Sequence, residues 1–463
     1  METGEDVDLA VIGSGGAAMA AAIAGRQAGA QVVVVERGTL GGTCVNVGCV
    51  PSKTLLAAAG LRHAAMTNPH AGVALSADGV DLAALVAQKD DLIAGLRQAK
   101  YADVADAYGF PVLQGQARFR NPETLDVDGR TVRAGAYVVA TGSVPGVPHL
   151  PGLGDVAYLT STTAMELGRV PESLVVIGGG YVGMEQAQLF AHLGAHVTVV
   201  GRLAPHAEPE LAEALNAVFA EDGITVVEER AAAVTGEDEA VSVTTTAGTR
   251  VRGQRLLVAT GRRARTDGLD LAAAGVLTDV RGFVVTDEHQ RTSNQRVFAA
   301  GDVSGAAQFV YVAAAAGRVA ALNALRRDDA AEPAGVDYTG LPAVVFTRPQ
   351  LASAGLSEAE AQAAGHRCEC RVLGLADVPR ALVNRDTRGT VKLVADADTR
   401  RVLGVHALAE GAGEMMLAAT YAIRAGMTVD DVAATWAPYL TMAESLRITA
   451  GLFRNQMPTS CCA

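Results

Sequence analysis

The chain has 463 residues, which at roughly 100–200 residues per domain predicts two to four domains. Hydrophobic residues make up 49% and charged residues 19%, so a large core is available and wholesale disorder is excluded. The net charge is −12, which argues against nucleic acid or an anionic membrane as partner, and a 4% aromatic content with one Trp (Trp436) leaves little for stacking on single strands.

The positive mean hydropathy comes from alanine. The uncharged run Ala134–Gly154 is broken by Pro145, Pro148 and Pro151, and the run Leu9–Gly25 is shorter than the roughly 18–20 apolar residues a span needs. The acidic start METGEDVD is wrong for a secretory signal or a transit peptide. The expectation is a cytoplasmic protein with no membrane insertion.

Val7–Ile12 reads as a strand running into Gly13-Ser-Gly15-Gly-Ala-Ala18, a helix to Ala28, and a second strand Gln31–Val35 ending at Glu36. Such a unit brings backbone close to a pyrophosphate at a helix N-terminus, and its acid accepts from a ribose hydroxyl. Next comes Gly41-Gly-Thr43-Cys44-Val-Asn-Val-Gly-Cys49-Val-Pro51-Ser-Lys53. Two thiols so spaced, before a proline suited to a helix's first turn, form a potential disulfide. The helix N-terminus and Lys53, one of four lysines against 34 arginines, favour thiolate.

The strand Tyr137–Thr141 ends at Gly142. The dinucleotide pattern then recurs: strand Ser173–Ile177, turn Gly178-Gly-Gly180-Tyr181-Val-Gly183, helix to Leu193, strand Ala195–Val200. Gly201-Arg202 stands where an acid closed the first unit, and arginine pairs with a 2′-phosphate, so NADPH is favoured over NADH. A strand from Leu256 ends at Thr260-Gly261, and another from Val297 ends at Gly301-Asp302. From about Tyr338 the pattern changes to strands Ala343–Phe346, Thr390–Val394 and Val402–Ala407 before a helix Glu414–Ala425, an α+β domain. Cys368-Glu-Cys370 falls in a strand, where alternate residues share a face, although nothing nearby reads as a fuller ligand set.

The six cysteines (44, 49, 368, 370, 461 and 462) are too few and too clustered for a disulfide scaffold. Cys461 and Cys462 are adjacent near the C-terminus, where exposed thiols are reactive, and read either as an electron relay or as a trap for a soft metal ion.

The order of two dinucleotide folds, GGTCxNxGCxPSK, two Ala-Thr-Gly turns, Gly-Asp and a C-terminal domain resembles the FAD-dependent pyridine nucleotide–disulfide oxidoreductase family over essentially the whole chain. The resemblance implies an α/β fold with two Rossmann-like dinucleotide-binding domains, for FAD and NADPH, plus an α+β C-terminal dimerisation domain that builds a homodimer. The expected boundaries are 1–148 and 265–336 for the FAD domain, 149–264 for the NADPH domain and 337–463 for the interface domain. It also implies electron flow from nicotinamide to flavin to Cys44 and Cys49. Cys49 would contact the flavin and Cys44 would face the substrate. Lys53 would pair with Glu185, and Tyr181 would cover the nicotinamide pocket. FAD would meet Gly13, Gly15, Ala18, Glu36, Gly38, Thr43, Lys53, Ala117, Thr141, Gly142, Asp302 and Val310. NADPH would meet Gly178, Gly180, Gly183, Arg202 and Gly261.

Disulfide-reducing members of that family carry a His–Glu pair near the C-terminus, the His managing protons during thiol–disulfide exchange. Here Glu444 matches, but the His position holds Tyr439, and His406 is the last histidine in the chain. A phenol with pKa near 10 is a poor base at neutral pH. Tyr439, the adjacent Cys461 and Cys462, and the string Arg380–Gly389 resemble members of the family that reduce mercuric ion. An amino-terminal GMTCxxC metal-binding domain seen in some of these is not expected, so the chain would be the catalytic core alone. The resemblance implies that Hg(II), arriving as a thiol complex, is taken by Cys461 and Cys462 and passed to Cys44 and Cys49, with Tyr181 and Tyr439 flanking the transfer. The competing reading is a flavin disulfide reductase of glutathione, lipoamide or thioredoxin type.

Overall fold

The computed structural model describes residues 5–77, 79–326 and 332–454. Two compact units divide the chain: the first holds residues 1–54, 83–147 and 261–337, the second 55–82, 148–260 and 338–463.

The first unit is built on a seven-stranded sheet. Val112–Gln114, Val32–Glu36, Glu5–Ile12, Arg130–Val139 and Val297–Ala299 lie parallel in that order. Parallel strands buried on both faces read as continuous apolar runs, and Val32–Glu36 is buried at every position. The register sets Val11 beside Val34 and Val138, so both apolar layers close on the same strand. On its other side the N-terminal end of Arg130–Val139 also pairs antiparallel with Thr124–Val127, which pairs with Ala117–Asn121. Helices Gly16–Gln27 and Val310–Ala324 cover one face and pack on each other through alanines.

The second unit carries a four-stranded parallel sheet in the order Thr225–Val227, His196–Val200, Ser173–Ile177, Arg255–Val258. Beside it lies a three-stranded antiparallel sheet, Ala231–Glu237, Ala240–Thr245 and Arg250–Gly253. A five-stranded antiparallel sheet follows, in the order Pro342–Val345, Gln350–Gly355, Val402–Ala409, Thr390–Asp396, Cys368–Gly374. Helices Ala412–Arg424 and Glu444–Gly451 bury one face of this last sheet through Met415, Met416, Ala419, Leu446 and Ile448. Strand and helix bounds lie within two residues of those expected from sequence in both dinucleotide units.

The helices Gly42–Asn46 and Cys49–Met66 make together a 25-residue apolar stretch, long enough by composition to cross a membrane. It is interrupted at Val47-Gly48 and carries the thiol pair and Lys53.

Candidate active site

In the first unit a cleft of about 580 Å³, part of it open to solvent, lies at the C-terminal ends of the parallel strands. This is where an open α/β sheet receives its ligand. Ile12 to Gly15, Glu36, Thr43, Ala117, Thr141 and Gly142 line it. Gly13 has φ +109°, and a Cβ there would stand 2.4 Å from the Ala140 carbonyl oxygen. Only glycine permits so close a turn. Gly15 then caps helix Gly16–Gln27 without a side-chain acceptor, leaving the first N–H groups of the helix for a ligand.

Glu36 is buried at the end of its strand. Its Oε2 accepts from Ser14 Oγ at 2.6 Å and its Oε1 from the Gly38 backbone N–H at 2.7 Å. Ser14 Oγ in turn accepts from the Gly41 N–H at 3.0 Å, tying the glycine turn to the loop that leads into the thiols. Two buried polar atoms of the lining, Thr141 Oγ1 and Arg265 Nε, have no hydrogen-bond partner among the described residues. Burial and the neighbouring Arg37 hold the Arg265 guanidinium below its ordinary pKa, with Glu36 opposing them. Unsatisfied donors and excess positive charge at a helix N-terminus fit a pyrophosphate-bearing dinucleotide, FAD.

Of the other residues expected around that ligand, Ala18 is fully buried in the first helix. Val310 opens the helix Val310–Ala324 and lies against Gly16. Asp302 begins a 3₁₀ turn after Gly301; its Oδ2 accepts from Ser143 Oγ at 2.6 Å and lies 3.5 Å from Arg262 Nε.

Cys44 sits inside helix Gly42–Asn46 and Cys49 opens helix Cys49–Met66, so only Cys49 is at the N-terminus of the longer helix. Asn46 fixes the short helix: its Nδ2 donates to the Leu40 and Gly42 carbonyls and its Oδ1 accepts from Arg97. Both cysteines are thiols, Cys44 half-buried and Cys49 exposed. At Cys44 the influence of Lys53 toward thiolate is opposed by larger ones. Its hydrogen bond to Cys49, its burial and the charge of Cys49 push the Cys44 thiol well above its ordinary pKa, against a smaller opposite effect of Lys53. The phenol of Tyr101 is raised by burial and then by Cys44 and Cys49, which places it beside the pair. Tyr101 stands in a π-helical turn, Gln98–Ala102, a distortion frequent at functional sites.

The second unit repeats the device of the first. Gly178 has φ +110°, and a Cβ there would stand 2.4 Å from the Ala259 carbonyl oxygen. Gly180 caps helix Tyr181–Leu193 without a side-chain acceptor, so its first N–H groups also face outward. Gly183 and the buried Glu185 follow in that helix, and Glu185 Oε1 accepts from the Phe346 N–H at 3.0 Å. Tyr181 is part-exposed at the start of the helix. Arg202 is exposed just past strand His196–Val200, and Gly261 has φ +123°. This arrangement fits a second dinucleotide, NADPH.

In the C-terminal segment Tyr439 is half-exposed in the turn before helix Glu444–Gly451. Glu444 is buried, accepting from the Leu440 N–H at 3.3 Å and from Arg447 at 3.2 Å. Cys461 and Cys462 lie outside the described residues.

Sequence reasoning missed Ser14, Tyr101, Gln116 and Arg265. The run Arg262-Arg-Ala-Arg265 after Gly261 was the one signal for the last of these. It also missed a buried cluster in the second unit. There Asp222 lies 2.9 Å from His192 Nε2 and 3.5 Å from His63 Nε2, the two imidazoles stacked with centroids 3.8 Å apart. Gln188 and Arg388 complete the surroundings of Asp222, and an arginine there disfavours a bound cation.

Residues 7–317 match the pyridine nucleotide-disulphide oxidoreductase family and residues 341–450 its dimerisation domain. The chain belongs to the pyridine nucleotide-disulphide oxidoreductase family. Within it, the chain is 52% identical to a mercuric reductase of Streptomyces lividans over 98% of both chains. It is 45% identical to a mercuric reductase of Lysinibacillus sphaericus, over 99% of this chain and 85% of that one. Among solved structures it resembles a Cu(II) complex of the HOCl-induced flavoprotein disulfide reductase RclA from Escherichia coli, at 27% identity and a TM-score of 0.86, covering 97% of this chain and 99% of that one. It also resembles LpdA from Mycobacterium tuberculosis, at 29% identity and a TM-score of 0.84, covering 96% and 100%.

Proposed function

We propose that the chain is an FAD-dependent enzyme that uses NADPH to reduce Hg(II) to Hg(0). The observation that carries this is the identity to mercuric reductases over nearly the full length of this chain. Tyr439 agrees with it. Reduction of a metal ion needs two electrons at the metal and cleaves no S–S bond, so the His that manages protons during thiol–disulfide exchange is not required. With a thiol complex as substrate the balance is Hg(SR)₂ + NADPH + H⁺ → Hg(0) + NADP⁺ + 2 RSH. Bound FAD supplies the relay of the electron pair.

In this reading residues 1–148 and 265–336 hold FAD, 149–264 hold NADPH, and 337–463 build a homodimer. Gly13, Gly15, Ala18, Glu36, Gly38, Thr43, Lys53, Ala117, Thr141, Gly142, Asp302 and Val310 hold the flavin nucleotide. Gly178, Gly180, Gly183, Arg202 and Gly261 hold NADPH, with Tyr181 over its nicotinamide and Glu185 beside Lys53. Cys44 and Cys49 grip Hg(II) as thiolates, the soft ligands a soft ion prefers. Cys461 and Cys462 take the ion from solution thiols and hand it on by thiol exchange, which avoids a free ion. Tyr439, oriented by the turn that Glu444 anchors, flanks the ion at transfer. The protein works in the cytoplasm, without membrane insertion or nucleic acid.

The test is NADPH oxidation with Hg(II) in excess thiol while volatile mercury is trapped, with oxidised glutathione and lipoamide in parallel. Hg(0) released in step with NADPH loss, with little disulfide turnover, is the expected result. Robust disulfide reduction without Hg(0) would establish the disulfide reductase instead. Removing residues 461–463 is expected to impair turnover of thiol-complexed Hg(II) while NADPH still bleaches the flavin.

A further inference from the structure

A second pair of thiols lies far along the chain from Cys44 and Cys49. Cys368 and Cys370 stand on Cys368–Gly374, the edge strand of the five-stranded sheet. The register sets Cys368 opposite Asp396, Cys370 opposite Val394 and Val372 opposite Lys392, and Lys392 opposite His406. Directly opposed residues share a face, as do alternate residues of one strand. Both thiols therefore lie on the face that carries Lys392 and His406. Leu373, Leu393 and Ala395 point to the other face, into the apolar core.

A cysteine used as a small apolar filler belongs on that core face. These two are half-buried thiols in a charged layer instead. The Cys370 thiol is hydrogen-bonded to Glu358, and Cys368 feels Glu358, Asp396 and Glu208. Burial and Glu358 push the Cys370 thiol up to about 12, which protects it from oxidation, since thiolate is the reactive form.

We propose that Cys368 and Cys370 form a second Hg(II)-binding dithiol, which takes the ion by exchange from soluble thiol complexes. The proposal rests on the Hg(II) reading above and adds a site to it. Residues two apart on a strand have Cα atoms roughly 6.6 Å apart, at the outer limit of about 4.4–6.8 Å for a disulfide. A two-coordinate ion bridging two sulfurs at about 2.3 Å each fits that spacing without bending the strand. Among the described residues the one group of three close metal-ligand donors is His63, His192 and Asp222, so this dithiol offers two thiolates and suits an ion satisfied by two. The exchange is Hg(SR)₂ plus two protein thiols giving the protein bis-thiolate plus two RSH. Two Hg–S bonds break, two form, the thiol protons pass to the released thiolates, and nothing is oxidised or reduced.

The experiment uses the FAD-loaded full chain with Cys44, Cys49, Cys461 and Cys462 all changed to Ser, without NADPH. It is equilibrated with Hg(II) in excess 2-mercaptoethanol, desalted and weighed by native mass spectrometry. About one Hg(II) per chain is expected, and at least tenfold less once Cys370→Ser is added. No retained mercury, retention after Cys370→Ser, or a Cys368–Cys370 disulfide in the desalted chain would each overturn the proposal. Should the four-serine chain lose its flavin, Cys368→Ser/Cys370→Ser in the otherwise unaltered chain is compared with the unaltered chain, and about one equivalent fewer is expected. Hg(0) release by the unaltered chain is assayed separately, so a failure of the reductase reading is seen there and not in the binding result.

Discussion

Cys44 and Cys49 are hydrogen-bonded to each other, and that bond is the largest of the effects that keep Cys44 protonated. The reduced pair is therefore asymmetric. Lys53 favours ionisation of Cys44 but is outweighed. In the NADPH-free dithiol form, Cys44 is expected to alkylate with iodoacetamide more slowly than a free thiol at pH 8–9. Cys49→Ser removes the partner and should speed alkylation of Cys44, read by peptide mass spectrometry. Equal rates in the two proteins would contradict the asymmetry.

The two glycine turns separate the two nucleotides experimentally. Gly13→Ala forces a Cβ against Ala140 and strains a left-handed backbone, at a cost of about 1–3 kcal/mol before any clash is relieved. It should abolish or sharply reduce the flavin absorbance of the purified protein. Gly178→Ala meets the same obstacle at Ala259. It should leave flavin content near normal and raise the KM for NADPH at least tenfold. Loss of flavin from both variants to the same degree would refute the division of labour.

His63 makes stability depend on acid. Burial, then the neighbouring His192, lower its pKa from 6.5 to about 4, with Asp222 opposing them. In the unfolded chain the imidazole takes up its proton near its ordinary value, whereas in the folded chain it does not until about pH 4. The folded state therefore loses stability as pH falls from about 6.5 toward 4. His63→Phe should flatten that loss, seen as a smaller drop in the urea midpoint between pH 7 and pH 5.

Lys392 is a buried cation inside a ring of carboxylates. Its Nζ lies 2.8 Å from Glu208, 3.0 Å from Glu210 and 2.8 Å from Glu358. Burial works against its charge, but the three hydrogen bonds outweigh it and raise its pKa. Lys392→Met leaves Glu208, itself buried, without its counter-charge. Breaking such a pair from one side costs about 3–5 kcal/mol. The denaturant midpoint should fall accordingly, and Glu208→Gln in the same protein should recover part of the loss.

Both dinucleotide units were legible because each rests on a local pattern. A buried strand, a glycine turn and an alanine-rich helix follow one another within about thirty residues. The thiol pair was legible for the same reason. In the lining of the cleft, Gly13, Gly15, Glu36, Thr43, Ala117, Thr141 and Gly142 were expected, but Gln116 and Arg265 were not, because they reach it from segments far apart in sequence. The strands Ala117–Asn121 and Thr124–Val127 escaped notice because arginines and a turn break up their short alternation. The separate settings of the two thiols were not legible from their spacing. Cys44 belongs to a separate five-residue helix, and its closest influence is another sulfur. Burial of Lys392 had no sequence signal at all, since lysine is almost never fully buried unless paired and its partners lie 34 to 184 residues away.

The burial of Lys392 has a practical side. The chain has four lysines, and Lys89 is buried as well, at 4% exposure against 1% for Lys392. Of the lysines, an amine-directed reagent such as an acyl ester therefore meets only Lys53 and Lys100 in the folded protein. Lys53 lies four residues beyond Cys49 in the same helix. A mild acylation followed by peptide mapping thus reads the surroundings of the dithiol almost without background, and Lys100 serves as its internal standard.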